Sequence, residues 1–301
     1  MRLYKLIGLE MDALLKDHDA TLKNIASYKD ILENHKSMSR VISHDLDMIK
    51  KTYATPRKTS IENVGAAVYE EKKAEAMEVV ALIDRFGYAK TIDKATFERN
   101  KEAALSESKY VISCMNTDKA CIFTDTGRLH LIKITDMPFG RFRDKSIPLD
   151  NLGNYDSSGE NIIHICNLAS IQDSMMLFAT KTGMLKLVKG SEFDVSKRTV
   201  AATKLADGDS IIAICTADNF NQLVLQTENG YFNRFPMMNI PEMKKTAIGV
   251  RGMKLGDGDQ VENVYYTKNA VETTIEYKGK ELILNNLKLG KRDSKGTKVR
   301  V

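Results

Sequence analysis

Apolar positions recur with two different periods along this chain, and the change of period divides it. Over residues 1–53 the spacing is helical. Leu3, Leu6, Leu9 and Leu14, with Ile7, Met11 and Leu15, form one apolar stripe. Asp19 stands where it can cap a second helix carrying Leu22, Ile25, Tyr28 and Leu32. His35-Lys36-Ser37 interrupts the pattern, and Ser37 is a candidate N-cap for a third helix. That helix places Ile42, Leu46, Ile49 and Tyr53 at spacings of four, three and four, a short coiled-coil seam. Thr55-Pro56 stops it, because proline disfavours helical geometry in the residue before it. Stripes this narrow bury little area alone. The segment reads either as a small bundle or, preferably, as a helical arm that pairs with further helices or another copy.

Residues 54–76 read as a connector, polar at its start and rich in Ala, Glu and Lys at its end, with a short helix near Val68–Ala76. From residue 77 to 301 the period is two. Leu129 and Leu131 fall on one face of a strand and His130, Ile132 and Ile134 on the other; Leu223 and Leu225 alternate with Val224 and Gln226. Two such runs flank a glycine turn at Cys121–Lys133, which reads as a β-hairpin with a two-residue turn and Gly second. The unit recurs around Gly87, Gly183, Gly230 and Gly279, and the five glycines are 40, 56, 47 and 49 residues apart. A repeat of this length, with about four strands per unit, predicts a propeller-like array of five or six blades. The connections between hairpins also repeat. Lys197–Asp209 parallels Ala247–Asp259, each ending in Asp-Gly-Asp before an apolar strand. An EF-hand glutamate is missing at the required offset, so these are read as turns rather than Ca²⁺ loops.

Composition narrows the class. At 301 residues there is room for two domains and a large core. No apolar run reaches the ~18–20 residues of a membrane-spanning helix, and the N-terminus does not read as a signal peptide. Cys114, Cys121, Cys166 and Cys215 are scattered with no C-x-x-C pair, which fits reduced core residues in a cytoplasmic protein. There is no P-loop and no G-x-S-x-G elbow. The five histidines lack metal-ligand spacing; His130 and His164 read as structural strand residues. By its residues alone the chain does not read as an enzyme, and it calls for no metal.

Charge adds a positional signal rather than a bulk one. Net charge is +5, and residues 73–301 hold 33 Lys/Arg against 29 Asp/Glu. Within each unit, however, the cations gather at the turn and in the connection after the hairpin. Candidate contacts for a phosphate backbone are Arg128, Arg141, Arg143, Lys186, Lys197, Arg198, Arg234, Lys244, Lys245, Arg251, Lys254, Lys291 and Arg292. Repetition of the fold would repeat their position and form a basic band. A solvated lysine surface, on a propeller that binds only proteins, is the alternative.

Phe86–Lys90, Phe123–Arg128, and Gly249–Leu255 with Gly258-Asp259 resemble the C-terminal repeat of bacterial type IIA topoisomerase A subunits. Met1–Glu10 resembles the exit-gate helix of those subunits, and Arg57–Ile61 the segment closing their helical arm, so the resemblance covers nearly the whole chain in order. It implies a mainly β fold, a pinwheel of propeller-like blades over 77–301, preceded by an exit-gate and coiled-coil segment over 1–53. It implies binding and bending of duplex DNA on the outer rim, in an enzyme that passes one duplex through another. The catalytic tyrosine of the family lies upstream of anything in this sequence. The ATP and Mg²⁺ of the parent enzyme are used elsewhere, and no cofactor is expected here. The implied partners are DNA, an ATPase B subunit plus a second A subunit, and no membrane. One departure is informative. Gyrase A subunits carry a Q-R-R-G-G-x-G box after the first hairpin, on which wrapping depends. Here Phe97–Leu105 has no glycine and two glutamates, which accounts for the 40-residue interval. That favours a topoisomerase IV-like subunit, with an open array, over a gyrase A subunit with a degenerate box.

Overall fold

A computed structural model describes residues 3–59, 75–218, 220–268 and 271–300, with the side chains of 3–9 outside the description. The chain falls into two compact units, Met1–Glu71 and Lys72–Val301. The expected helix near Val68–Ala76 lies mostly outside the described residues.

Among the described residues the first unit holds two helices where three were expected over residues 1–53, α1 (Leu3–Glu33) and α2 (His35–Tyr53). Helix α1 runs through Asp19, which caps nothing: no proline or glycine follows it before the break, and an exposed aspartate in a helix costs only a few tenths of a kcal/mol. The break falls at Asn34, whose side chain accepts from Lys36 N at 3.1 Å, and not at Ser37, whose hydroxyl instead reaches Asp30. Among the described residues of this unit nothing covers the stripe. Leu14 and Leu32 are 69% and 75% exposed, and α2 has no buried residue.

The second unit is built from five hairpins. The first is β1 (Glu78–Asp84) with β2 (Tyr88–Asp93), followed by helices α3 (Lys94–Arg99) and α4 (Lys101–Glu107) and strand β3 (Ser108–Met115). The second is β4 (Lys119–Thr124) with β5 (Arg128–Lys133), followed by β6 (Ile147–Pro148) and β7 (Ile162–Asn167). The third, β8 (Met175–Thr180) with β9 (Met184–Lys189), leads to β10 (Thr199–Ala201) and β11 (Ile211–Thr216). The fourth, β12 (Gln222–Thr227) with β13 (Tyr231–Pro236), leads to β14 (Val250–Arg251) and β15 (Val261–Thr267). The fifth, β16 (Thr274–Tyr277) with β17 (Lys280–Ile283), leads to β18 (Thr297–Lys298).

Strands are exchanged between consecutive units. The four-stranded sheets are β3-β1-β2-β6, β10-β5-β4-β7, β11-β8-β9-β14 and β15-β12-β13-β18; β16-β17 is two-stranded. Each of the four is thus closed by a short strand from the connection after the next hairpin. The hairpin glycine receives that crossing. Gly127 O accepts from Ala202 N at 2.8 Å, and Gly87, Gly183 and Gly230 accept from Leu149, Gly252 and Val299 in the same way. A Cβ on Gly127 would stand 3.1 Å from Thr203 O, and its φ is +79°.

The turns differ from expectation. In the first four hairpins three residues separate the strands and glycine is third, as in Asp125-Thr126-Gly127; Gly127 N donates to Thr124 O at 3.1 Å. This is a turn closed by a left-handed residue. Only the fifth hairpin has the two-residue form, with Lys278 and Gly279 both at positive φ.

Alternation within the strands assigns each face to a different neighbour. Cys121, Phe123, Leu129 and Leu131 pack with Met176, Phe178 and Phe193 of the third unit. Ala120, Ile122, Ile132 and Ile134 pack with Val79, Ala81 and Ile83 of β1 in the first hairpin. Similar cores join the third sheet to the fourth and the fourth to the fifth, while α3 and α4 set Phe97 and Ala104 on the free face of the first. Burial on both faces explains why the middle of an inner strand such as β4, residues 120–123, is apolar at every position.

Candidate nucleic-acid interface

After every hairpin from the second onward the chain makes a short 3₁₀ turn and then a basic loop, before donating its strand to the preceding sheet. The loops run over 138–146, 194–198, 240–249 and 287–296. Backbone bonds seat each loop against the second hairpin strand of that sheet. Thr91 N donates to Pro138 O at 2.9 Å and Gly140 N to Thr91 O at 3.1 Å. Leu131 N reaches Arg198 O at 2.7 Å, Met243 N reaches Leu187 O at 2.8 Å, and Gly290 N reaches Arg234 O at 2.7 Å. Four loops therefore occupy one equivalent place in four sheets, with their backbones fixed.

Seven of the thirteen candidate cations stand exposed, and among the described residues their side chains make no hydrogen bond or ion pair: Arg141, Arg143, Lys197, Arg198, Lys244, Lys254 and Lys291. Four are engaged but at the surface. Arg128 lies 3.3 Å from Glu160, Arg251 forms a two-pronged ion pair with Asp293, Lys245 Nζ donates to Glu192 O at 2.7 Å, and Arg292 donates to Arg251 O at 2.8 Å. The remaining two belong to the interior. Arg234 is half-buried, with its guanidinium bonded to Gln222 and to the carbonyls of Asn285 and Leu287. Lys186 is 1% exposed, and Nζ donates to Lys245 O at 2.9 Å and Ala247 O at 2.8 Å. As a phosphate contact Lys186 is therefore corrected: its ammonium is enclosed and its donors are occupied. Burial pulls its pKa down to about 8, opposed by the charge of Glu192.

Two cavities lie beside the loops. One, of about 170 Å³, is lined by Lys119, Lys133, Lys197 and Arg198, with Asp136 on its wall. The other, of about 360 Å³, is lined by Lys288, Lys291 and Lys295 with Ser294 and Thr297 and has no carboxylate in its lining. Lys119 escaped the sequence reading because it opens a strand before the hairpin turn, far along the chain from the loop it joins.

Behind the turn of the second hairpin Glu160 is buried. It accepts from Thr124 at 2.6 Å and Thr126 at 2.9 Å, and lies 3.2 Å from His130 Nε2. Burial opposes its ionisation, but the bonds from Thr124, Thr126 and His130 outweigh it and hold the carboxyl below the usual range. His130 is structural, as its strand position implied. The two Asp-Gly-Asp stretches are turns: Asp209 accepts from Thr182 N and Ser210 N, and Asp259 from Asn229 N and Gln260 N.

The family model for the DNA gyrase C-terminal domain, beta-propeller, matches residues 174–214 and 221–268, the third and fourth units. The DNA gyrase A subunit of Chlamydia muridarum is 30% identical over 270 residues, covering 85% of this chain and 32% of that protein. Its counterpart in Lawsonia intracellularis is 29% identical over 307 residues, covering 98% of this chain and 37% of that one. The chain belongs with the C-terminal part of type IIA topoisomerase A subunits. It spans about a third of the length of these curated relatives. In fold, the chain is similar to the C-terminal domain of a DNA topoisomerase IV, with a TM-score of 0.67 at 20% identity over 75% of this chain and 73% of that one. It is also similar to the Escherichia coli ParC C-terminal domain, with a TM-score of 0.61 at 16% identity over 74% and 94%. Residues 97–105 lie on α3 and α4 and the residue between them, and these helices donate no strand.

Proposed function

We propose that the β unit binds duplex DNA along its four basic loops and bends it, within a topoisomerase IV-like A subunit that captures a duplex for strand passage. The observation that carries this is the repetition of one loop per sheet, each seated on the second hairpin strand and presenting exposed cations: Arg141 and Arg143, Lys197 and Arg198, Lys244, Lys291. Cations on a fixed backbone suit a phosphate chain running from sheet to sheet, with no demand on base sequence. Bending the duplex costs a few kcal/mol, offset by phosphate contacts on further loops. The exposed stripe of α1 and α2 serves the dimer exit gate, where two A subunits meet, and the assembly is completed by an ATPase B subunit.

Gyrase is the second reading, favoured by the identity of the relatives named above. Sealing nicked circular DNA in the presence of the chain, followed by deproteinisation and measurement of linking number, separates the two. Binding with little or no shift in linking number is expected. A strong positive shift would establish chiral wrapping and favour gyrase, and no binding would remove DNA from the function altogether.

A further inference from the structure

The residue three places after each of the first four hairpin glycines is polar: Lys90, His130, Lys186 and Asn233. The fold turns Lys90, Lys186 and Asn233 toward the basic loop seated on their own strand, and His130 toward Thr199 and Glu160. Lys90 Nζ donates to the carbonyl of Phe142 and lies 3.4 Å from that of Asp144. His130 Nδ1 stands 3.2 Å from Thr199 Oγ1, on the strand that follows the second loop. Lys186 Nζ meets three carbonyls of the third loop, Lys244 O at 3.5 Å, Lys245 O at 2.9 Å and Ala247 O at 2.8 Å. Asn233 Nδ2 donates to Gly252 O and Lys291 O, each at 3.3 Å, and its Oδ1 accepts from Ser294 at 2.8 Å.

The chemistry of the position is shared although the residue type is not. Each side chain can donate a hydrogen bond. At three of the four, the acceptors are loop carbonyls within or beside the run of exposed cations. The exposed cations of a basic loop repel one another. Bonds to its carbonyls from beneath fix the backbone without neutralising the cations. Lys186 is the most committed of the four. It is buried at 1% exposure, with its ammonium also 5.5 Å from the Phe178 ring centroid.

We infer that Lys90, Lys186 and Asn233 are positioning residues, which hold the basic loops from beneath so that the exposed cations form a preorganised phosphate-binding set; this rests on the DNA-binding reading above. Preorganisation matters because each loop ordered only on binding would subtract from affinity.

Lys186→Met tests it, with Lys186→Gln as the variant that keeps a donor. In DNA-free protein, amide hydrogen exchange over residues 243–248 should accelerate at least about tenfold in Lys186→Met, stay slow in the hairpin strands, and be partly restored in Lys186→Gln. Duplex affinity should fall about fivefold in Lys186→Met, but change less than about twofold when Lys244 and Lys245 are already alanine, since coupled residues are non-additive. Unchanged exchange over 243–248 in Lys186→Met would overturn the anchoring role. An undiminished affinity loss in the Lys244/Lys245 alanine background would also overturn it, because Lys186 would then act on DNA other than through the loop. If the parent chain binds no duplex, the exchange result still decides the anchoring while the DNA-binding reading fails.

Discussion

Residues that look alike in the sequence divide sharply by environment. Arg141 and Lys186 are both cations near hairpins of one repeat, yet Arg141 is exposed and Lys186 is enclosed by the loop that follows the next hairpin. Charge pattern does not tell them apart, because the difference lies in a loop that arrives about sixty residues later to cover Lys186. Glu160 is a second case, a carboxylate in a connection that becomes the acceptor for four side chains. Its folded pKa is held down, so it contributes stability that is complete above the unfolded value near 4.5 and is lost as pH falls through the folded value. Glu160→Gln should flatten that acid limb of the stability curve. Glu160→Ala should cost about 1–3 kcal/mol at neutral pH by leaving Thr124 and His130 without their acceptor. Urea unfolding of the β unit at several pH values measures both, and an acid limb unchanged in Glu160→Gln would refute the role assigned to this carboxylate.

At the scale of elements, the hairpins were legible and their partners were not. Alternation and a glycine located all five hairpins, since both signals are local. The donated strands are as short as two residues, as in Val250-Arg251, too short for any periodicity; only the resemblance between Lys197–Asp209 and Ala247–Asp259 hinted that the connections do the same job. The three-residue turns escaped notice because the glycine marks a left-handed residue without fixing its place in the loop. The merged helix α1 shows the converse, that a residue able to cap does so only where the chain breaks. The crossing at the hairpin glycine should be sensitive. Gly127→Ala places a Cβ at a positive φ and against Thr203 O, and should destabilise the β unit by about 1–3 kcal/mol. Gly208→Ala, at a positive φ with open space around it, should cost less; equal losses in thermal unfolding would mean that the crossing adds nothing to the strain of the turn.

For the molecule as a whole, net charge is a poor guide and placement a good one. A surplus of four cations over residues 73–301 would not mark a nucleic-acid surface, but one basic loop per sheet does. Exchange of strands makes the arrangement possible, because the segment that closes one sheet is tethered to the next and carries its loop across the junction. The most direct test is the salt dependence of duplex binding, measured for the parent chain and for Arg141→Glu/Arg143→Glu and Lys197→Glu/Arg198→Glu. Log K should fall linearly with log salt, with about 0.9 of slope for each phosphate neutralised. Each pair of reversals should lower affinity on any duplex sequence and reduce the slope by about 1–2. Lys189→Glu, at a cation already paired with Glu242 at 3.0 Å, should leave both nearly unchanged. Parent-like affinity and slope in both loop variants would contradict the assignment of the basic loops as the DNA-binding surface.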